Sequence, residues 1–533
     1  MRKKLISVIL TCSLLGTLLS GCGSAAVNNT SSVMAGQADA TATASDTGSD
    51  GNKVVIARHL DSEGLDPVMT ASNVDIWVLN MMIEGLVGSS DDGSEIIPAV
   101  ADTWEVSDDY LTYTFHIRDG IKFADGNPVT VDDVIYSLTR ARDEEGPWVG
   151  MLDMMDKLED GGDGTVVISL KEPSPAFLST LAMFYCGILE KSYCEEVGED
   201  GLTEKPMGTG PFVLSEWDKG EKMIFTKNEN YWEEGCPKVD EIDMIVVADD
   251  STRIMQLESG QIDAVTEVPY ARLEELESYG GLTVNLFDST DVLFLLINCQ
   301  GTYGSDKKIR KALSLATDKK AINDAVYYGK GTLAETFLAP ALPYSDQELP
   351  ETKVDIEKAK ELLSEAGYPD GFEITVQVGS GDSAVLQTAT ILQQQWAEIG
   401  VKLNIEQIDL ATARQNWKDG NYDVYISDMT SDMTDTSELA GLVTVYDQAH
   451  CWRTYWDDED QKAAEKLTLE ANTEMDEKKR AEDYTKMQEI MADAEPLIPL
   501  VYMPFSFVTS EKITGYAQNP LGVYNFKNMT SER

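Results

Sequence analysis

No apolar run beyond residue 21 exceeds the length of a β-strand. The purest aliphatic and aromatic one, Val292 to Ile297, is six residues, whereas a helix needs about 20 to cross a bilayer. From Lys53 onward the core must be assembled from short strands and amphipathic helices. The two patterns alternate, which predicts an α/β (α+β mixed) fold. Leu111, Tyr113, Phe115 and Ile117 alternate with polar residues as a half-buried strand that stops at Asp119-Gly120. Thr130 and Asp133 form a capping box for a helix through Val134 and Leu138. Ser174-Pro175 reads as an N-cap and first helical position. Asp250 to Gly260 reads as a short helix, Asp318 and Asp355 cap two more, and Ala389, Leu392, Trp396 and Ile399 stripe another that closes at Gly400. With 533 residues, two or three domains are expected.

The N-terminus is set apart from this pattern. Arg2-Lys3-Lys4 precedes an apolar stretch from Leu5 to Leu19, the layout of a secretory signal over 1–21. Leu19-Ser20-Gly21-Cys22 resembles the lipobox of bacterial lipoproteins, in which the cysteine is lipidated. Cys22 would then hold the chain to the outer face of the cytoplasmic membrane, on the cell surface or in the periplasm, without crossing it. Residues 22–52 are Ser, Thr, Ala, Gly, Asn and Asp with almost no large apolar side chain, and read as a flexible linker.

Lys+Arg number 42 and Asp+Glu 93, a net charge of −51. So negative a surface repels nucleic acid and anionic lipid, so nucleic acid is excluded as a partner. Apart from Cys12 and Cys22, the cysteines are Cys186, Cys194, Cys236, Cys299 and Cys451. An odd number without a CxxC pair is neither a disulfide framework nor a zinc site; pairing of Cys186 with Cys194 stays open. No phosphate loop, HExxH or dinucleotide fingerprint occurs. Gly381-Asp382-Ser383-Ala384-Val385 lacks the closing glycine of a nucleophile elbow and reads as a loop opening a helix. The acidic, Gly-rich 156–164 stretch lacks calcium-loop spacing and reads as a surface turn before a strand over 165–170. Only His59, His116 and His450 are present, and His450 beside Cys451 makes a poor metal site. A binding protein, with no cofactor and no metal, is expected rather than an enzyme.

Several stretches together resemble the bacterial extracellular solute-binding proteins of family 5, the peptide, dipeptide and nickel receptors of ABC importers. They include Pro98 to Ser107, Tyr113 to Gly126, Pro206-Met207-Gly208-Thr209-Gly210-Pro211-Phe212, Asn228 to Trp232, Glu365 to Phe372 and Glu495 to Leu500. The resemblance covers nearly everything from Lys53 onward. It implies a two-lobed, type II periplasmic-binding-protein-like fold with an additional third domain. Lobe I would comprise 53–90, 206–292 and 501–533, the extra domain 91–205, and lobe II 293–500. A ligand would sit between lobes that close on it. The implied partners are a peptide, the permease subunits of an ABC transporter, and the membrane through the lipid anchor.

In peptide-binding relatives an aspartate accepts the ligand's α-ammonium from a Trp-x-Gly-Asp-x-x-Asp-Pro motif. Here Met429-Thr430-Ser431-Asp432-Met433-Thr434-Asp435-Thr436 occupies that place. The resemblance puts Asp432 on the amine-binding acid and Asp435 on the second acid. Met429, Ser431 and Thr436 depart from the motif, and a shifted register would select Asp428. Dipeptide receptors also place an arginine ahead of the 383–399 helix, but none occurs from Phe372 to Ala413, which argues against strict recognition of a free carboxylate. Arg414 and Arg453 are the substitutes at hand. Trp452, Tyr455 and Trp456 are candidates for lining side-chain pockets, or for core packing ahead of Asp457-Asp458. A metal-chelate or oligosaccharide receptor, a peptide sensor and a tethered hydrolase are the alternatives to an oligopeptide receptor.

Overall fold

The first of three large sheets is built around the N-terminal strand. In the computed structural model, which describes residues 52–532, Lys53–Arg58 pairs in parallel with both Glu241–Val246 and Ala264–Thr266. Seven strands lie in the order Leu282–Phe287, Phe505–Ser510, Ala264–Thr266, Lys53–Arg58, Glu241–Val246, Lys222–Lys227, Phe212–Asp218. Val54 and Ile56 are fully buried on one face, while Ala57 packs on the other with Ile254, Leu257 and Leu273. The leader, Cys22 and the linker to residue 51 lie outside the described residues.

The second sheet explains why Val292–Ile297 carries no polar residue. It is an interior strand, flanked by Leu497–Tyr502 and Val424–Met429, in the order Thr332–Leu333, Leu497–Tyr502, Val292–Ile297, Val424–Met429, Glu373–Gly379, Lys402–Ile408. Leu293, Leu295 and Ile297 pack on one face with Ile309, Leu313 and Trp396. Val292, Phe294 and Leu296 pack on the other with Trp456, Tyr484 and Met487. Burial on both faces replaces alternation with a continuous apolar run.

A four-stranded antiparallel sheet, Ala101–Val106, Thr112–Ile117, Thr165–Leu170, Met155–Gly162, forms the third. It corrects the reading of the acidic stretch: residues up to Gly162 are an edge strand paired with Thr165–Leu170, and the turn is confined to Asp163-Gly164. Charge suits an exposed edge, where it discourages pairing with another chain.

Local capping signals agree with the structure. Thr130 and Asp133 make the reciprocal box, and Asp318 and Asp355 accept hydrogen bonds from the backbone N–H groups of Ala321 and Lys358; the helix read as opening at Ser383 does so, with Asp382 as its cap through Val385 N–H. Ser174-Pro175 is the exception: the helix is Phe177–Leu181, capped by Ala176 without a side-chain bond. All five described cysteines are free, Cys186 and Cys194 included.

The chain passes between the first and second sheets along two neighbouring crossings, from Phe287 to Val292 and from Tyr502 to Phe505. They are tied together: Met503 N donates to Asp291 O at 2.9 Å, and Ser289 Oγ donates to Met503 O. This pair of strand-like links is the hinge of a two-lobed molecule.

Candidate functional site

The loop after Val424–Met429 leaves the second sheet and reaches the opposite lobe. Met433 is buried in the core of the first lobe, and Thr434 Oγ1 meets Ser179 Oγ at 3.0 Å. Ser431 N donates to Thr290 Oγ1 at 2.9 Å, which anchors the loop to the hinge. Glu438, in the first turn of Ser437–Thr444, folds back over the loop. Its Oε2 accepts from Ser431 Oγ at 2.8 Å and from Asp432 N at 3.0 Å.

Asp432 opens onto a cavity of about 170 Å³ whose walls include Asn80, Glu84, Trp232 and Tyr524 of the other lobe and Phe184 beside them. Glu84 is already satisfied there by Thr209 Oγ1, Tyr231 OH and Trp232 Nε1 at 2.9–3.0 Å. The Asp432 carboxylate differs: it has no hydrogen bond or ion pair among the described residues, and its nearest charged neighbour is another acid. Burial and then repulsion from Glu438 push Asp432 well above the usual carboxylate range. Burial likewise pushes Glu438 up to about 7, against its hydrogen bonds. Burial, then the neighbouring Cys186 thiol and the Glu438 charge, push the Tyr185 hydroxyl above its usual range. Two desolvated acids without a cation are a costly arrangement that a bound ammonium would relieve.

The other site residues expected from the sequence do not gather here. Asp435 is buried in a bidentate pair with Arg480, both contacts at 2.7 Å, so its oxygens are committed within its own lobe. Trp452 packs edge-on against Phe294 at 5.3 Å and is core, as is Trp456. Tyr455 OH donates to Lys418 O at 2.6 Å and Arg453 reaches the same carbonyl at 3.4 Å. Tyr455 borders a polar hollow shared with Asn298, Gly420 and Asp423, at the far end of Val292–Ile297 from Asp432. Six residues of strand put these ends about 20 Å apart. His450, Cys451, Trp452 and Arg453 all have φ between 48 and 64°. This left-handed turn, which a helical pattern does not announce, is what redirects their side chains. Glu438 was missed; its one sequence signal is an acid in the first turn of a helix.

A family model for bacterial extracellular solute-binding proteins, family 5 Middle, matches residues 95–449. The chain belongs to this family. It is therefore a solute-binding protein rather than an enzyme. Among similar family 5 sequences are the heme-binding protein A of Haemophilus influenzae, 29% identical over 84% of this chain and 85% of that one, and the dipeptide-binding protein of Escherichia coli, 27% identical over 88% and 93%. The ABC transporter-associated periplasmic binding protein DppA of Helicobacter pylori, solved with the peptide STSA, superposes with a TM-score of 0.80 at 26% identity, covering 91% of this chain and 98% of that one. The two-lobed arrangement of family 5 thus holds here. Among the described residues no group of three or more His, Cys, Asp and Glu is placed to hold a metal.

Proposed function

We propose that this family 5 protein is a lipid-anchored receptor that captures oligopeptides between its lobes and delivers them to an ABC importer. The observation that carries the reading is the unpaired Asp432 carboxylate, held beside Glu438 on a loop that spans both lobes. In this reading it accepts the α-ammonium as a charge-assisted partner. Asp435 then serves to hold the loop, and Trp452, Arg453 and Tyr455 lie outside the amine site. The peptide-bound DppA likeness and the dipeptide-binding relative support a peptide as cargo. The Leu19-Ser20-Gly21-Cys22 sequence supports lipidation of Cys22 and a place on the outer face of the membrane. The sheet memberships support lobe limits near 53–90, 206–292 and 501–533 against 293–500, with 91–205 as the extra domain; the strands Val292–Ile297 and Leu497–Tyr502 overstep them by one and two residues, and the small Val87–Ser89/Ile96–Pro98 sheet straddles the 90/91 limit.

Titration calorimetry with a tripeptide and its N-acetylated form tests the reading. The free peptide should bind at least about a hundredfold more tightly, the scale of one buried charge pair. Equal affinities would remove the amine from the recognition scheme.

A pH dependence follows from Glu438. In the empty site the acid pair holds extra protons up to about pH 7. An ammonium favours the ionised pair, so binding releases protons below that pH. Affinity should accordingly rise with pH through about 7 and fall on acidification, by at most about tenfold per unit for each proton released. Binding heats at pH 6 in buffers of different ionisation enthalpy read the proton directly; zero release would contradict the assignment.

A further inference from the structure

The hinge end of the interlobe region carries a second pair of acids. Val292 pairs with Met429 and Leu293 with Asp428. Asp291 and Asp428 therefore project from the same face of adjacent strands, diagonal neighbours across the ladder. The Oδ1 of Asp291 is buried and has no hydrogen-bond partner among the described residues. Each acid feels burial first; the next influence on Asp291 is repulsion from Asp428, and both are pushed above the usual carboxylate range.

The surroundings are acidic and aromatic. Tyr270 of the first lobe and Tyr327 of the second meet edge-on at 5.9 Å, and the charges of Asp291 and Asp428 bear on both rings. Tyr270 is fixed by donating its hydroxyl to Pro504 O at 2.7 Å. Asp382 adds negative charge beside Asp428 and Tyr327. On the first lobe Glu267 lies near Tyr270 and is paired with His59 at 3.0 Å. Among the described residues the basic group acting on the pair is Arg414, which bears on Asp428 from the exposed side of Leu410–Lys418 and not on Asp291.

We propose that Asp291 and Asp428, walled by Tyr270 and Tyr327, form a second cation site, and that the preferred ligands are peptides with a lysine or arginine side chain in addition to the α-ammonium. This rests on the peptide reading above and deepens it. The unpartnered Asp291 oxygen supplies the acceptor and the tyrosine rings supply faces that attract a cation. Asp428 and Asp432 are four positions apart, at most about 13 Å of extended chain. The second charge accordingly belongs within the first three residues of the ligand.

Calorimetry on the full mature chain, at one ionic strength, tests this with Ala-Lys-Ala and Ala-norleucine-Ala, which differ only by the side-chain ammonium group. The lysine peptide should bind on the order of tenfold more tightly or better. In Asp291→Asn and in Asp428→Asn the ratio of the two affinities should collapse toward one. A ratio near one in the unsubstituted protein, or a ratio that survives both substitutions, overturns the second site. If neither peptide binds, the peptide reading fails, and spermidine becomes the deciding probe. Spermidine bound by the unsubstituted protein and lost in Asp291→Asn keeps the cation site; spermidine that fails to bind, or binds both alike, overturns it as well.

Discussion

Asp432→Ala should weaken peptide binding by about 2–5 kcal/mol, the range for stripping one partner from a buried charged pair. The loop that carries Asp432 is pinned at Thr290 on one side and at Ser179 on the other, so the carboxylate is positioned before any ligand arrives. Such preorganisation lets the interaction be expressed as affinity rather than consumed in ordering. Asp432→Asn keeps the shape and an acceptor oxygen but not the charge, and should lose less. An N-acetylated peptide, having no ammonium, should be nearly indifferent to either substitution. Calorimetry with both peptides separates these outcomes. Unchanged affinity in Asp432→Ala, coupled with a large loss in Asp428→Ala, would transfer the amine to the neighbouring register.

Arg480→Ala should destabilise the fold by about 3–5 kcal/mol, because it leaves a buried carboxylate without its counter-charge. Asp435 receives both guanidinium nitrogens, while Arg480 Nε donates to Ala471 O at 3.0 Å and the rings of Tyr344 and Tyr484 stand 5.2 Å from the guanidinium carbon. Burial alone would raise Asp435, but the Arg480 hydrogen bonds and charge outweigh it, and the carboxyl sits below the usual range. A depressed acid contributes stability that is present above its unfolded pKa of about 3.9 and is lost as pH falls through the folded value. Without Arg480 the sign reverses, and Asp435 takes up a proton on folding. The deficit of Arg480→Ala should therefore shrink between pH 7 and pH 5 in urea unfolding. A deficit below about 1 kcal/mol at pH 7 would place this pair with ordinary surface ion pairs. Replacing both partners by apolar residues should recover much of the loss.

What the sequence revealed about this fold depended on how local the responsible physics is. Asp318 and Asp355 cap helices through backbone N–H groups three residues away, and their spacing suffices to place them. The stripe Ala389, Leu392, Trp396 is legible for the same reason, since one helix face decides it. The 156–162 stretch resisted reading because its strand character comes from pairing with Thr165–Leu170 and not from its own charged residues. Asp432 was reached through motif resemblance, and its lack of a partner became visible only once the loop was placed. Trp452 and Tyr455 look like pocket residues in sequence, but a left-handed turn sends one into the core and the other to the far end of the sheet. Asp291 carries no local mark at all. Its neighbour Asp428 is over a hundred positions away, and strand register alone brings them together.

Phe505–Ser510 is an interior member of the seven-stranded sheet, between Leu282–Phe287 and Ala264–Thr266, although it is the last of the seven to leave the ribosome. Every residue of the second sheet is synthesised before it. One half of the molecule can thus mature while the other still has an open seam, and that half cannot close until translation is nearly over. For a chain destined for passage through a translocation channel, this late stitching would prolong the interval in which it remains threadable.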